Sequence, residues 1–392
     1  MSKPPIHLKP SERPMKRDSE EAKEIRELYN KALGAPDDAV TNMAPNPVSF
    51  ERKHISMVQD KSYVVLEKTD GTRYCLFFGT LKNGTKFSVF VDRTFDIYDV
   101  FMMAQASVYQ GTLVDGELVE EEDHGVKGHI YLVFDVMHVE GHPCINVPYH
   151  VRMTHAKRLF RMYEEGDEET HRFTHKVDKW DEYALSCVRE QGKIMSSGSN
   201  LYALDIRCKP YFHSRFVGTL FRKINVCMKH KTDGIILMPM DDPIRLKTHY
   251  GMFKWKQEHT VDFQFQVELL PGSLLNPPQW VWKPFYLSNS RVHVDAPIVV
   301  EGITYSFQVV DSKEKHSAQR KLIKAGFHQR TFVAECRIAV IESKDGNHIE
   351  IAVTRLRPDK RDANSEYTVS RTILNVKENI TASELCTILK SS

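Results

Sequence analysis

Long apolar runs are missing from this 392-residue chain. No stretch of 18 residues is apolar throughout, and the opening MSKPPIHLKPSERPMKRDS holds no signal-peptide core. A membrane-spanning helix is excluded on that pattern, and a soluble, intracellular protein is expected. Excess charge is missing too: 54 Lys and Arg face 52 Asp and Glu. A protein that holds nucleic acid by bulk charge is thereby excluded, so RNA or DNA would need a local groove. Cysteine is sparse, odd in number and unpaired in pattern. The seven positions (75, 144, 187, 208, 227, 336 and 386) include no C-x-x-C pair, which excludes a disulfide framework and a structural zinc site. There is no C-x5-R loop, no G-x-G-x-x-G, no internal repeat and no low-complexity linker.

What is present predicts an α+β protein of more than one domain. Residues 1–17 are basic and proline-containing, so a disordered arm is expected there, with order starting at Asp18. The segment DSEEAKEIRELYNKALG predicts a helix capped by Asp18 and stopped by Gly34, with Ala22, Ile25, Leu28, Tyr29, Ala32 and Leu33 on one face. Strands are expected at 63–66, 74–78, 86–91, 112–119, 130–136 and 235–238, and helices at 150–163 and 178–190. A second β-rich region, with strands at 261–269, 304–310, 331–342 and 349–357, fits a small barrel of the oligonucleotide-binding type. The final NITASELCTILKSS reads as a capped helix.

The stretch VVLEKTDGTRYCLFF (64–78) is unusual chemically. Between two apolar runs it places Lys68, Asp70, Gly71 and Arg73 in what reads as a turn. A lysine attacks phosphorus only as the neutral amine, and at its reference pKa about one in 2,500 is neutral at pH 7. Burial, nearby cations and a metal can lower that barrier. The rest of the chain supplies such groups in order. FVDRTFDIY offers Asp92 and Arg93, and TLVDGELVEE offers Asp115 and Glu117 on one strand face, a spacing that lets two carboxylates share a site. YLVFDVM carries Phe134 and Asp135, KTDGIILMP carries Asp233, FKWKQ carries Lys254 and Lys256, and RLRPDKRDAN carries Arg357, Asp359 and Lys360. Singly, each has a structural reading: Asp-Gly is a common turn, Phe134 a core residue, and paired lysines an edge-strand guard. Joint occurrence in this order outweighs those readings.

The ordered set closely resembles the six motifs of the covalent nucleotidyltransferases, the messenger RNA capping guanylyltransferases and the nucleotide-dependent DNA and RNA ligases, over residues 68–364. Lysine-x-Asp-Gly falls on 68–71, Asp-Gly-Glu on 115–117, Phe-Asp on 134–135, Asp-Gly on 233–234, Lys-x-Lys on 254–256 and Arg-x-Asp-Lys on 357–360, followed by Asn364. NPVSFERKHI (46–55), Asp233 where ligases carry glutamate, FKWKQEHTVDF (253–263, containing Asp262) and AECRI (334–338) resemble the capping branch. Two departures are Pro358 inside the last motif and the lack of an upstream tryptophan in IAVTRLR.

That resemblance implies an α+β fold, a nucleotidyltransferase domain of antiparallel sheets with flanking helices plus a C-terminal OB-fold β-barrel. The expected divisions are the arm at 1–17, the nucleotidyltransferase domain at 18–262, the barrel at 263–369 and a helix at 370–392 packing back on the first domain. It implies that Lys68 attacks GTP to give a lysyl-GMP adduct, and that 5′-diphosphate RNA then takes the GMP as a GpppN cap. Lys254 and Lys256 would hold the α-phosphate, and Arg357, Asp359 and Lys360 the leaving phosphates. Asp70, Arg73, Arg93, Glu117, Phe134, Lys209, Asp233 and Asp262 would bind the nucleotide, with Phe134 stacking on the purine and Lys209 reading the guanine carbonyl. Glu117 and Asp233 would help hold Mg²⁺ or Mn²⁺. An ATP-dependent ligase with a lysyl-AMP adduct is the alternative. A non-enzymatic docking module would show a lost nucleophile, and none is seen. Implied partners are an RNA triphosphatase, an RNA polymerase C-terminal tail and a separate cap methyltransferase, in the nucleus, or in a cytoplasmic factory or virion for a viral protein. His171 and His175 read as part of a solvated acidic face, since no third metal ligand has clear spacing.

Overall fold

The computed structural model describes residues 13–100, 104–123, 126–160, 205–224, 230–270, 279–324, 331–344, 346–358 and 360–390. The expected helix at 178–190, His171 and His175 lie outside the described residues. The chain divides into two compact units, Met1–Trp255 with Ala382–Ser392, and Lys256–Thr381.

The first unit contains strands β1 (Asn46–Ser49), β2 (Tyr63–Thr69), β3 (Thr72–Thr80), β4 (Lys86–Val91), β5 (Ile97–Asp99), β6 (Thr112–Asp123), β7 (Val126–Val139), β8 (His142–Pro143), β9 (Asp205–Cys208), β10 (Phe212–His213), β11 (Thr232–Pro239) and β12 (Thr248–Lys256). Lys256, the last residue of β12, is the first of the second unit. Two sheets result. One runs β1-β12-β11-β2-β10, the other β5-β4-β3-β6-β7-β8, with β9 parallel to β7.

Strand alternation explains how the larger sheet is covered on both faces. Leu76, Phe78, Phe90, Val114 and Val136 join Val64, Leu66 and Met238 of the smaller sheet in one core. Cys75, Phe77, Val89, Val91, Leu113 and Met137 point the other way, into a second core beneath helix α1 (Glu20–Leu33). That helix buries Ala22, Ile25, Tyr29, Ala32 and Leu33, and a fully buried Ile or Leu contributes about 1.5–3 kcal/mol. Its cap is Ser19 rather than the expected Asp18: the Ser19 hydroxyl accepts the Ala22 N–H at 3.2 Å. Gly34 ends it at φ +69°, a left-handed conformation that favours glycine. Order begins earlier than Asp18, because the Met15 N–H donates to the Ile97 carbonyl at 2.8 Å and Arg17 pairs with Asp96 at 2.7 Å. Helix α2 (Ile55–Asp60) precedes β2, and α3 (Tyr149–Leu159) packs on β7.

The second unit has β13 (Thr260–Leu270), β14 (Gln279–Leu287), β15 (His293–Val294), β16 (Ile298–Val300), β17 (Ile303–Val309), β18 (Thr331–Ser343) and β19 (Gly346–Leu356). Its helices are α4 (Lys313–Lys324) and α5 (Glu366–Glu378). Among the described residues there are seven strands, four of them (β13, β17, β18 and β19) at the expected positions. They form an open path, β15-β14-β13-β18-β19-β17-β16, and no pairing closes it into a barrel among the described residues. The physical reason is that β16, short and paired only with β17, and β15, paired only with β14, end the ladder at opposite edges. NITASELCTILKSS forms one helix as expected, but the helix expected over 370–392 is divided between two. Asn379, at φ +42°, ends α5, and α6 (Ala382–Lys390) is grouped with the first unit, where Arg52 pairs with Glu384 at 2.6 Å.

Candidate active site

Strands β2 and β3 are consecutive in the chain but belong to different sheets, with only Asp70 and Gly71 between them. Lys68 is therefore the sixth residue of β2 and not a turn residue, a correction to the sequence reading. Its position is set by register. Pairing with β11 passes from Thr232↔Thr69 to Gly234↔Lys68, which leaves Asp233 as the extra residue of a bulge. The Asp233 carboxylate accepts from Lys68 Nζ at 2.7 Å. Both side chains remain accessible, at 22% and 30% exposure. The charged partner of Lys68 is thus a carboxylate where the sequence suggested surrounding cations. Lys254 lies on β12 of the same sheet, two strands from β2, half-buried opposite Ser49 of β1.

The two-residue link between the sheets is tightly constrained. The Asp70 N–H donates to the Lys231 carbonyl at 2.9 Å, while its side chain is exposed. The Gly71 N–H donates to Glu117 Oε1 at 3.1 Å. A Cβ at position 71 would sit 2.6 Å from the Leu118 carbonyl oxygen and 2.7 Å from Val119 Cγ1, so close approach of backbone requires the glycine.

Arg73 is held almost completely. Nε donates to Asp115 at 2.9 Å, Nη2 donates to Asp115 and to the Pro45 carbonyl, and Nη1 donates to Asn46 at 2.9 Å. Four of its five N–H groups are therefore engaged. Burial works against its charge, but Asp115 outweighs burial and lifts the guanidinium above its ordinary value. Asp115 is fully buried and committed to this clamp, so it does not share a site with Glu117 as their spacing suggested. The half-buried Phe134 ring receives two cations, Arg73 Cζ at 5.6 Å and Lys209 Nζ at 5.4 Å from its centroid. Lys209 arrives there because β9 runs parallel to β7, and its N–H donates to the Val133 carbonyl at 2.7 Å. Asp135, the other half of the Phe-Asp pair, is structural. It accepts from Arg152 of α3 at 2.7 and 3.0 Å in a buried pair.

Beneath this surface runs a buried charge chain that sequence reasoning missed. Lys209, 4% exposed, lies 3.4 Å from Glu67 Oε1 and 3.8 Å from Glu117 Oε2. Glu67 also accepts from Thr69 Oγ1 at 2.8 Å and faces His230 Nε2 at 3.5 Å. His230 Nδ1 lies 2.7 Å from Glu121, which accepts from Arg207 at 2.9 Å. Burial alone would raise the Glu67 carboxyl, yet Lys209 and His230 hold it below the usual range. Burial alone would lower His230, yet Glu121 and Glu67 push it up to about 9. The available signal was a charged residue, Glu67, at an inward position of an apolar strand next to Lys68. Glu117 is shifted the other way: burial raises its carboxyl against the pull of Lys209.

Arg93 is exposed in the turn after β4, whose C-terminal end lies beside the N-terminal end of β3 that carries Arg73. In the second unit, Asp262 gathers the closing motif: Lys360 Nζ and Arg357 Nη1 (3.3 Å) both pair with its carboxylate. Asn364 Oδ1 accepts the Asp262 N–H at 2.8 Å, fixing that strand residue. Asp359 lies outside the described residues. Lys256 lies near His259, whose imidazole burial, with Lys256 adding, lowers to about 4. Burial pushes the Cys75 and Cys208 thiols up to about 12, which excludes them as nucleophiles. No group of three or more His, Cys, Asp and Glu able to hold a metal ion occurs among the described residues. Among those residues a cation held by protein ligands alone does not fit. One shared between one or two carboxylates and nucleotide phosphates does.

A family model described as mRNA capping enzyme, catalytic domain, matches residues 14–184. An mRNA-capping enzyme subunit alpha of Schizosaccharomyces pombe is 26% identical over 375 residues, covering 91% of this chain and 81% of that protein. The subunit of the same name from Neurospora crassa is 25% identical over 257 residues, covering 62% of this chain and 58% of that protein. Among solved structures, mycobacterial DNA ligase D complexed with ATP and MES covers 82% of this chain and 96% of its own, at 12% identity and a TM-score of 0.38, too loose a likeness to carry an argument. Residues 14–184 are thus similar to the catalytic domain of mRNA capping enzymes, and most of the chain is similar in sequence to an mRNA-capping enzyme subunit alpha.

Proposed function

We propose that this chain is an mRNA guanylyltransferase working through a lysyl-GMP adduct. The observation that carries the reading is Lys68: an accessible amine at the seam of two sheets, with Asp233 2.7 Å away and a cation-flanked aromatic ring nearby in the fold. Lys68 Nζ attacks the α-phosphorus of GTP. An N–P bond forms, the bond to the β-phosphate oxygen breaks, and pyrophosphate leaves. Asp233 is placed to take the proton that the ammonium must lose. The 5′-diphosphate of RNA then displaces the lysine from phosphorus, and the proton returns to the amine.

The remaining roles are those that the resemblance implies. Arg73 has one N–H left for the ribose or phosphate, and its clamp makes that donor well aimed. Glu117, Arg93 and Asp70 would contact the nucleotide, Phe134 would present the face for the purine, and Lys209 would meet the guanine carbonyl. Lys254 and Lys256 would serve the α-phosphate, while Arg357, Asp359 and Lys360, with Arg357 and Lys360 organised by Asp262, would serve the leaving pyrophosphate within an oligonucleotide-binding-type module. Mg²⁺ or Mn²⁺ would neutralise phosphate charge. Asp233, at 30% exposure against 17% for Glu117, is the more accessible carboxylate for it. Nuclear residence and partnership with a triphosphatase, a polymerase tail and a methyltransferase belong to the same proposal. Incubation with α-labelled GTP or ATP, followed by a chase with 5′-diphosphate RNA, tests it. Label from GTP that moves to RNA is expected; label from ATP alone would make the chain a ligase.

A further inference from the structure

The near balance of charge in the whole chain means that a long polyanion must be held by a local concentration of cations, and one helix has it. Helix α4 carries Lys313, Lys315, Arg320, Lys321 and Lys324 against Glu314 alone. Their arrangement is one-sided. Ala318 is buried in the core of the second unit, so the opposite face points to solvent. Lys313, Arg320 and Lys324, spaced by seven and four residues, form a row along that outer face, and all three are exposed. The other basic groups near the helix start are already matched: Lys315 and His316 both lie beside Asp311, at 3.6 and 3.3 Å. Lys313, Arg320 and Lys324 have no ion-pair partner among the described residues. Repulsion between Arg320 and Lys324, one turn apart, offsets part of what a cation in the last turn contributes to the helix.

The helix is also anchored. The Ser312 hydroxyl accepts the Lys315 N–H at 3.0 Å as an N-cap and donates to the Val353 carbonyl of β19 at 3.2 Å. The same strand leads directly into Arg357, so the row sits on the element that positions the closing motif of its own unit.

We infer that the Lys313–Arg320–Lys324 face of α4 binds the phosphate backbone of the single-stranded RNA being capped. The choice of RNA as the polyanion rests on the guanylyltransferase reading. The contact is to backbone charge, so it is independent of sequence and weakened by salt.

The test is a triple variant, Lys313→Ala with Arg320→Ala and Lys324→Ala, in the full chain. Affinity for RNA of about twenty nucleotides is read without nucleotide across a salt series. Three lost single-strand phosphate contacts should reduce the log–log salt slope by about 2 and weaken low-salt binding by about tenfold. Adduct formation with GTP should be unchanged, transfer to the long RNA should fall, and transfer to a 5′-diphosphate dinucleotide should not. A Lys313→Arg, Lys324→Arg variant should keep the full slope. An unchanged slope in the alanine variant, or equal loss on long RNA and dinucleotide, overturns the inference. So does an equal loss of affinity for polyglutamate, which would mark a general anion surface. Wild-type protein that shows the slope yet takes no label from GTP would instead remove the guanylyltransferase reading and leave the RNA surface standing.

Discussion

His230 is the residue whose titration should be felt outside the site. Its folded-state pKa is raised from about 6.5 to about 9 because Glu121 and Glu67 outweigh its burial. A raised folded pKa means stabilisation that is fully present below about 6.5 and is lost as pH climbs through about 9. The amount is up to about 3 kcal/mol. Thermal melting from pH 6 to 10 should therefore show a fall in stability that is flatter in His230→Gln. An equally steep fall in the variant would show that the histidine does not sense that range. Glu67 touches His230 and Lys209 lies one contact further, so loss of the His230 charge leaves the Glu67 carboxylate to Lys209 alone.

Residue identities were legible in advance where chemistry and spacing coincide. In the first unit Lys68 lies against Asp233, and Lys209 lies against the Phe134 ring. Their partners were not legible. The Asp115 clamp on Arg73 depends on pairing between β3 and β6, and the Glu67–His230–Glu121 chain joins residues far apart in sequence. Alternation within one strand reports which face a side chain takes, but not what it meets there.

At the scale of elements, the site depends on β2 and β3 parting into separate sheets within two residues. The Lys68 turn was misread for that reason: both strands extend to the motif itself, and a local pattern cannot reveal that neighbours in sequence pair with different strands. The same limit applies to the second unit, where strand positions were legible but the open ladder, a matter of long-range pairing at β15 and β16, was not. Helix α3 is bound to the site's main strand through Arg152 and Asp135, both buried. Asp135→Ala leaves a buried guanidinium without its counter-ion, and the expected cost is about 3–5 kcal/mol. Replacing both partners by Leu should recover much of that loss, because the pair's own net contribution is small. Chemical denaturation of the single and double variants checks it; a double variant as unstable as Asp135→Ala would mean the pair itself, and not the orphaned charge, sets the cost.

Across the whole molecule, two units divide the chemistry. The first holds the amine, its carboxylate partner and the cation-flanked ring; the second holds the Asp262 cluster and the basic face of α4. The central claim is narrower than this division: one ε-nitrogen becomes joined to GMP. Wild type and Lys68→Ala should be incubated with α-labelled GTP and a divalent cation, and the labelled protein then digested and mapped by mass spectrometry. The account predicts a single labelled peptide bearing GMP on Lys68, lost in acid and stable in alkali, and no label on the variant. Label retained by Lys68→Ala at the wild-type level would contradict it.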